Sequence, residues 1–270
     1  MMGALYRLKN PELYHLIKNQ SALSALVDMA PPDALLRKLK LHSRLDAQDV
    51  SAVRKLSFTY REMSAGDDFC RQGDKATSCA IVDEGMLGRY HTMSDGKRQY
   101  ISLHIAGDWA DAQGLFLDHM DHSICAMGRA SVYSIPHQEL FKLFKERPQI
   151  GFVVWRETLI DAAIFRMTIT NNSSRHGAAR LAHFFAELYY RANAVDLVRG
   201  GACALPLNQT QLGETLGMSI ATVNRNLQKL RRSGAADWSG GRLIVKNWSK
   251  LTAIGGFDPS YIYQKVQGKR

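Results

Sequence analysis

The stretch Leu207 to Leu230 constrains this chain more than any other. Asn208 can cap a helix, and Gln211 three residues on completes the pattern of a capping box. Leu212 and Leu216 stand four apart and share one helix face. Gly213 lets a second helix approach closely, and Gly217 can take the left-handed conformation that ends a helix. Ser219 then caps the next helix, in which Val223, Leu227 and Leu230 form the buried stripe. Two short helices joined so tightly predict a helix-turn-helix. Ala235 to Trp238, Ser239-Gly240-Gly241 and Arg242 to Val245 read as a hairpin behind it, a wing.

Ile220, Ala221, Thr222, Asn224, Arg225 and Gln228 fall near or on the outer face of the second helix. Residues at the N-terminal end of such a helix reach base edges in a major groove. Arg225 is the strongest base reader, because guanidinium pairs in bidentate fashion with guanine. Gln209, Ser219 and Thr222 suit phosphate contacts, and Arg242 and Lys246 sit where a wing touches the backbone. The charge agrees. The formal net charge is +10, and residues 175–270 hold fourteen Lys and Arg against five Asp and Glu. The first 174 residues are nearly neutral. A polyanion partner, double-stranded DNA, is therefore expected at the C-terminal third alone. The rival reading is a winged helix that docks protein rather than DNA.

With 270 residues, 46% hydrophobic and 22% charged, the chain has the balance of a soluble globular protein of two domains. It holds no run of 18 apolar residues, so no membrane span is expected. Met1 to Gln20 lacks the apolar core of a signal peptide. The four cysteines form no C-x-x-C, which fits a cytoplasmic chain with reduced thiols.

Residues 1–32 read as an extension ending at Pro31-Pro32, with Met29 an alternative start. Helical patterns follow from Asp33 and, capped by Asp46, from Ala47 to Leu56. From Phe58 the period changes. Apolar runs such as Cys79 to Val82, Tyr100 to Ile105 and Ala130 to Ile135 alternate with glycines and the Asp95-Gly96 turn. That spacing predicts a compact antiparallel barrel or roll, closed at Pro136. A short helix from His137 to Lys145 precedes a long one opened by Pro148. In the long helix Phe152, Trp155, Leu159, Ala162 and Ile169 fall at a/d spacing, and Ile160, Ile164 and Met167 form a second stripe. A helix apolar on two faces needs two partners, its own domain and the same helix of a second chain. Asn171-Asn172-Ser173-Ser174 is a polar break. The expected division is therefore an extension 1–32, a β-roll 33–147, a dimerisation helix 148–172, a winged helix 173–258 and a basic tail 259–270, in all an α+β chain.

The order of parts resembles the Crp/Fnr family of bacterial transcription regulators, from about Asp33 to Lys250. In front the resemblance rests on Gly66-x6-Gly73-Asp74, Ile81-Val82-Asp83-Glu84-Gly85, and Asp95-Gly96 through Gly107-Asp108-Trp109 to Gly114-Leu115-Phe116. Behind, it rests on Gly217-x-Ser219-x-x-Thr222-Val223-x-Arg225-x-Leu227. It implies a cyclic-nucleotide-binding-type β-roll, a homodimer on a two-fold DNA site, RNA polymerase as a partner, and an effector in the roll that shifts the reading heads between two states.

The departures shape the effector. Nucleotide-binding members hold ribose and cyclic phosphate with a Gly-Glu-Leu segment and a downstream Arg-Ser. The matching positions are Asp111-Ala112-Gln113 and His122-Ser123. The ribose carboxylate becomes Ala112, the phosphate arginine becomes His122, and Asp111 adds negative charge. On the long helix Phe165-Arg166 replaces the polar pair that meets the purine, and Arg166 offers a cation for another anion. Cyclic AMP in its usual pose does not fit this set. No cysteine precedes Cys70, so the iron–sulfur cluster of the oxygen-sensing branch lacks its ligands. Cys70 and Cys79 are read as buried hydrophobes rather than a redox pair, and His91, His104, His119 and His122 as core or solvated residues rather than a metal site. The effector stays unknown. No Gly-x-Ser-x-Gly or His-x-His pattern marks an enzyme. Relatives often carry Glu or Arg where Ile220 and Ala221 stand, so a different DNA consensus is expected.

Overall fold

The computed structural model describes residues 33–263. The expected extension 1–32 and the last residues of the expected tail lie outside them. Two helices open the described chain, α1 (Asp33–His42) and α2 (Ala47–Arg54). Asp46 caps α2 through a capping box with Asp49. Seven strands follow: β1 (Thr59–Met63), β2 (Asp68–Cys70), β3 (Ser78–Glu84), β4 (Met86–Thr92), β5 (Arg98–Ile105), β6 (Ser123–Ala126) and β7 (Ala130–Pro136). They form two antiparallel sheets, ordered β1-β7-β3 and β2-β6-β4-β5. Met63, Val82, Leu87, Ile124 and Val132 meet between the sheets. This is the roll that the alternating strands predict. A 3-10 turn, Ala112–Phe116, follows β5.

Helix α3 (His137–Glu146) leads into the 27-residue α4 (Pro148–Ser174). Ile150, Val153, Val154 and Ile160 of α4 are buried, most of them in a cluster with Leu35, Leu39, Ile81, Ile135 and Leu140. Its other face is bare: Phe152 is 68% exposed, Trp155 56%, Leu159 50% and Ile169 67%. Ala162 is half-buried. The stretch Asn171 to Ser174, read as a break, is helical instead. Its side-chain donors find backbone carbonyls, one in the same helix and two in other elements: Ser173 Oγ donates to that of Ile169, Asn171 Nδ2 to that of Arg180, and Asn172 Nδ2 to that of Thr215. The chain turns one residue later, at the extended Arg175.

The remainder comprises α5 (Gly177–Ala194), β8 (Ala202–Ala204), α6 (Gln209–Leu216), α7 (Ile220–Ser233), β9 (Ala236–Ser239), β10 (Arg242–Val245), α8 (Trp248–Gly255) and a 3-10 turn, Pro259–Ile262. Strand β10 lies between β8 and β9, so the wing is a three-stranded sheet rather than a lone hairpin. The three residues of β8 are too few to alternate visibly in sequence. One apolar cluster joins both lobes: Met86, Tyr90, Tyr100, Leu103 and Met127 of the roll meet Leu181, Phe185, Leu212, Leu227 and Leu243.

Candidate nucleic-acid interface and roll pocket

The reading head is built by local chemistry. Asn208 and Gln211 exchange side-chain to backbone bonds of 2.8 Å each, starting α6. Gly217 ends α6 at φ +60°, a region that costs residues with a Cβ about 1–2 kcal/mol. A Cβ on Gly213 would sit 2.6 Å from the Met218 carbonyl oxygen, so this glycine admits the turn backbone itself, and α7 only beyond it. Ser219 Oγ accepts from the Thr222 backbone at 3.2 Å and donates to Thr222 Oγ1 at 3.0 Å. Val223, Leu227 and Leu230 are buried as the stripe requires.

The face left to solvent carries Ser219, Ile220, Ala221, Asn224, Arg225 and Gln228, with Thr222 half-exposed. Asn224 Nδ2 donates to Gln209 Oε1 at 3.1 Å, tying the two helices together on that face. The Arg225 guanidinium approaches Thr222 Oγ1 at 3.5 Å, too long to hold it. Neighbouring arginines are differently placed. Arg231 pairs with Asp237 and donates to the Trp238 carbonyl, which fastens α7 to the wing. Arg180 Nη1 donates to the Leu216 carbonyl at 2.9 Å, holding the turn, and Arg175 donates to the carbonyls of Gly255 and Gly256. Arg242 and Lys246 are exposed on the wing. A free guanidinium beside a capped helix N-terminus can read a base while phosphate sits on the cap.

The roll residues matched to a nucleotide pocket are mostly structural. Asp111 is buried and Oδ1 accepts from the Ala80 backbone at 2.7 Å; burial pushes its carboxyl up to about 7. Ala112 is buried in the 3-10 turn, and Ser123 Oγ accepts from the Gln72 backbone at 3.0 Å. His122 Nδ1 lies 2.7 Å from Asp121 Oδ1, yet burial first and the Arg89 charge second lower its pKa to about 4. A neutral imidazole is no phosphate cation at neutral pH. Gln113 spans 3.4 Å to His122 Nε2 and 3.3 Å to Arg89. Phe165 faces inward, whereas Arg166, one residue on, is exposed and is not brought to the others. A 100° step per residue separates the two directions.

Two groups were missed in sequence. Arg89 is buried in β4, and the period-2 alternation that puts Leu87 inside also puts Arg89 inside, a signal available from the strand pattern. Asp108 is buried between Lys38, paired to it directly, and Arg191 Nη2 at 2.7 Å. These cations hold its carboxyl below the usual carboxylate range despite burial. Arg191 on α5 also donates to the Leu103 carbonyl at 2.9 Å, fixing the C-terminal lobe to β5. The thiols are free, and burial pushes Cys70 up to about 12. Among the described residues no three His, Cys, Asp or Glu are grouped to hold a metal ion, and no helix is long and apolar enough to cross a membrane.

A β-roll, a long helix and a winged helix with an open reading face are the architecture of a DNA-binding transcription regulator. The family models agree: the cyclic nucleotide-binding domain matches residues 60–147 and the Crp-like helix-turn-helix domain residues 179–254. The transcriptional activator FnrA of Stutzerimonas stutzeri is 24% identical over 224 residues, covering 83% of this chain and 91% of its own. The nitrogen fixation regulation protein FixK of Bradyrhizobium diazoefficiens is 26% identical over 225 residues, 82% of this chain and 92% of its own. The structure of FixK2 from Bradyrhizobium japonicum shares the fold, with a TM-score of 0.66 at 23% identity over 74% of this chain and 98% of that one. The chain belongs to the Crp/Fnr family; it is a DNA-binding transcription regulator, not an enzyme.

Proposed function

We propose that the chain works as a homodimer on a two-fold DNA site, pairing along α4 and placing one α7 in each of two successive major grooves. The observation that carries this is the bare stripe of α4. Four large apolar side chains, Phe152, Trp155, Leu159 and Ile169, are half or more exposed at a/d spacing, while the opposite face of the same helix is buried. An apolar seam of that period is a coiled-coil face. Two-fold pairing then spaces the half-sites by about one helical turn, roughly 34 Å. Arg225 reads a base, Ile220 and Ala221 face the groove where a thymine methyl would lie, and Gln209, Ser219, Thr222 and Arg242 meet the backbone.

Cyclic AMP in its usual pose does not serve as effector on this reading. A neutral His122, the missing carboxylate at Ala112 and the exposed Arg166 support that. RNA polymerase is the partner through which a bound dimer acts, and the free thiols suit a cytoplasmic location. The test is selection of duplexes from random DNA, followed by sedimentation of the complex. A palindromic consensus bound by two chains is expected; a monomer on a single half-site overturns the reading. Affinity that stays flat as salt rises would instead favour a protein-docking winged helix.

A further inference from the structure

One guanidinium ties together the parts of the roll that a small-molecule effector would have to bridge. Arg89 Nη1 donates to Asp161 Oδ2 on α4 at 3.0 Å. Its Nη2 donates to the Ala110 carbonyl at 2.5 Å and to Gln113 Oε1 at 3.3 Å, both in the segment after β5. The Phe165 ring, also on α4, lies 5.0 Å from the guanidinium carbon. Strand β4, the 3-10 segment and α4 thus meet on one side chain that is only 2% exposed. The space left among His104, Gln113, Asp161 and Ile164 is about 20 Å³. That admits one water, whereas pockets for drug-sized ligands run to about 300 Å³ or more. Asp161 stands between Leu159 and Ala162 of the bare stripe, so whatever fixes Asp161 also fixes the rotation of the seam.

We propose that Asp161 is the built-in ligand of this roll: its carboxylate takes, from within the chain, the part of an effector's anionic group, and Arg89 holds α4 in the DNA-binding register with no small molecule bound. This rests on the homodimer reading and deepens it. A free ligand would have to span from a roll cation to the long helix; here Asp161, covalently part of the helix, makes that link itself, at an effective concentration no free ligand matches. Arg89 is buried and the Asp161 side chain 22% exposed, so removing Asp161 alone leaves the guanidinium an uncompensated buried charge. Replacing both with apolar residues avoids that fault while still cutting the bonds to Ala110, Gln113 and α4.

The test uses the full chain, unfolded and refolded to strip small molecules, and a fluorescent duplex selected from random DNA by the wild-type protein. Wild type is expected to bind unaided, with added cyclic AMP changing Kd by less than about twofold, because a ligand without preference between states shifts nothing. Arg89→Met/Asp161→Leu should keep its melting temperature within a few degrees yet bind DNA about tenfold or more weakly, the usual size of such coupling. Wild type that gains tenfold or more with cyclic AMP overturns the proposal, as does a double variant that binds like wild type. A dimer that needs cyclic AMP removes this inference alone; a monomer that selects no duplex removes the homodimer reading beneath it as well.

Discussion

Trp155→Ala tests the α4 seam most directly. Trp155 is 56% exposed on the isolated chain. A tryptophan side chain carries on the order of 250 Å², so about 140 Å² remain to be buried by a partner. Alanine would bury only part of that, a loss of roughly 80 Å² per copy. At about 25 cal/mol per Å², the two copies of a symmetric interface lose about 4 kcal/mol together. That is roughly a thousandfold in dimer Kd, at 1.4 kcal/mol per factor of ten. The folded chain itself should hardly notice, since an exposed substitution changes stability by about 0.5 kcal/mol or less. Sedimentation velocity across a dilution series reads the first number, and thermal melting of the dilute monomer reads the second. DNA affinity should fall in step with dimerisation, because each half-site would bind separately. A Trp155→Ala protein that stays as tightly dimeric as wild type refutes the seam. One that loses several kcal/mol of monomer stability shows instead that Trp155 belongs to the core.

Arg225→Ala should cost about 1–3 kcal/mol of DNA binding and relax preference at one base pair per half-site, read by competition among single-substitution duplexes. Phe185→Ala, at a fully buried side chain in the cluster that joins the lobes, should cost about 3–5 kcal/mol in urea unfolding and melt both lobes together. Burial lowers His104 to a pKa of about 3 and His183 and His122 to about 4. An unfolded chain binds those protons below about 6.5, so each histidine's contribution is lost as pH falls towards 4; Asp111, raised to about 7, gains over the same fall and offsets one of the three, leaving a net drop in stability between pH 7 and pH 5, read by denaturation at both.

The reading head was legible because its signals are local. Asn208 with Gln211, Gly217 and Ser219 each act within four residues, and each does in the fold what its spacing predicts. The two faces of α4 were legible for the same reason, since a 3.6-residue period shows in any window of that length. The polar run Asn171 to Ser174 misled because its partners, the carbonyls of Arg180 and Thr215, lie in other elements, and without them the run looks like a loop. The pocket misled for a related reason. Matching residues to a nucleotide site directs attention to His122 and Arg166, while the cation that occupies the roll comes from a strand position whose inward direction only alternation reveals. Asp108, Lys38 and Arg191 come from three distant segments, and no spacing connects them.

The positive charge of the C-terminal third has two separable uses. Arg231 is held by Asp237 and Arg180 by backbone carbonyls, so neither is offered to a phosphate. Lys246 is exposed on the wing, with no acidic partner among the described residues. Each phosphate neutralised contributes about −0.9 to the slope of log K against log salt. Lys246→Gln should therefore flatten the slope by about 2 for a dimer, one contact in each copy, with little change in melting temperature. Arg231→Gln should leave the slope within about 0.5 of wild type. It should lower the melting temperature instead, because α7 loses its tie to the wing. If Arg231→Gln flattens the slope as much as Lys246→Gln does, the guanidinium leaves Asp237 when DNA arrives, and the division drawn from its contacts is wrong.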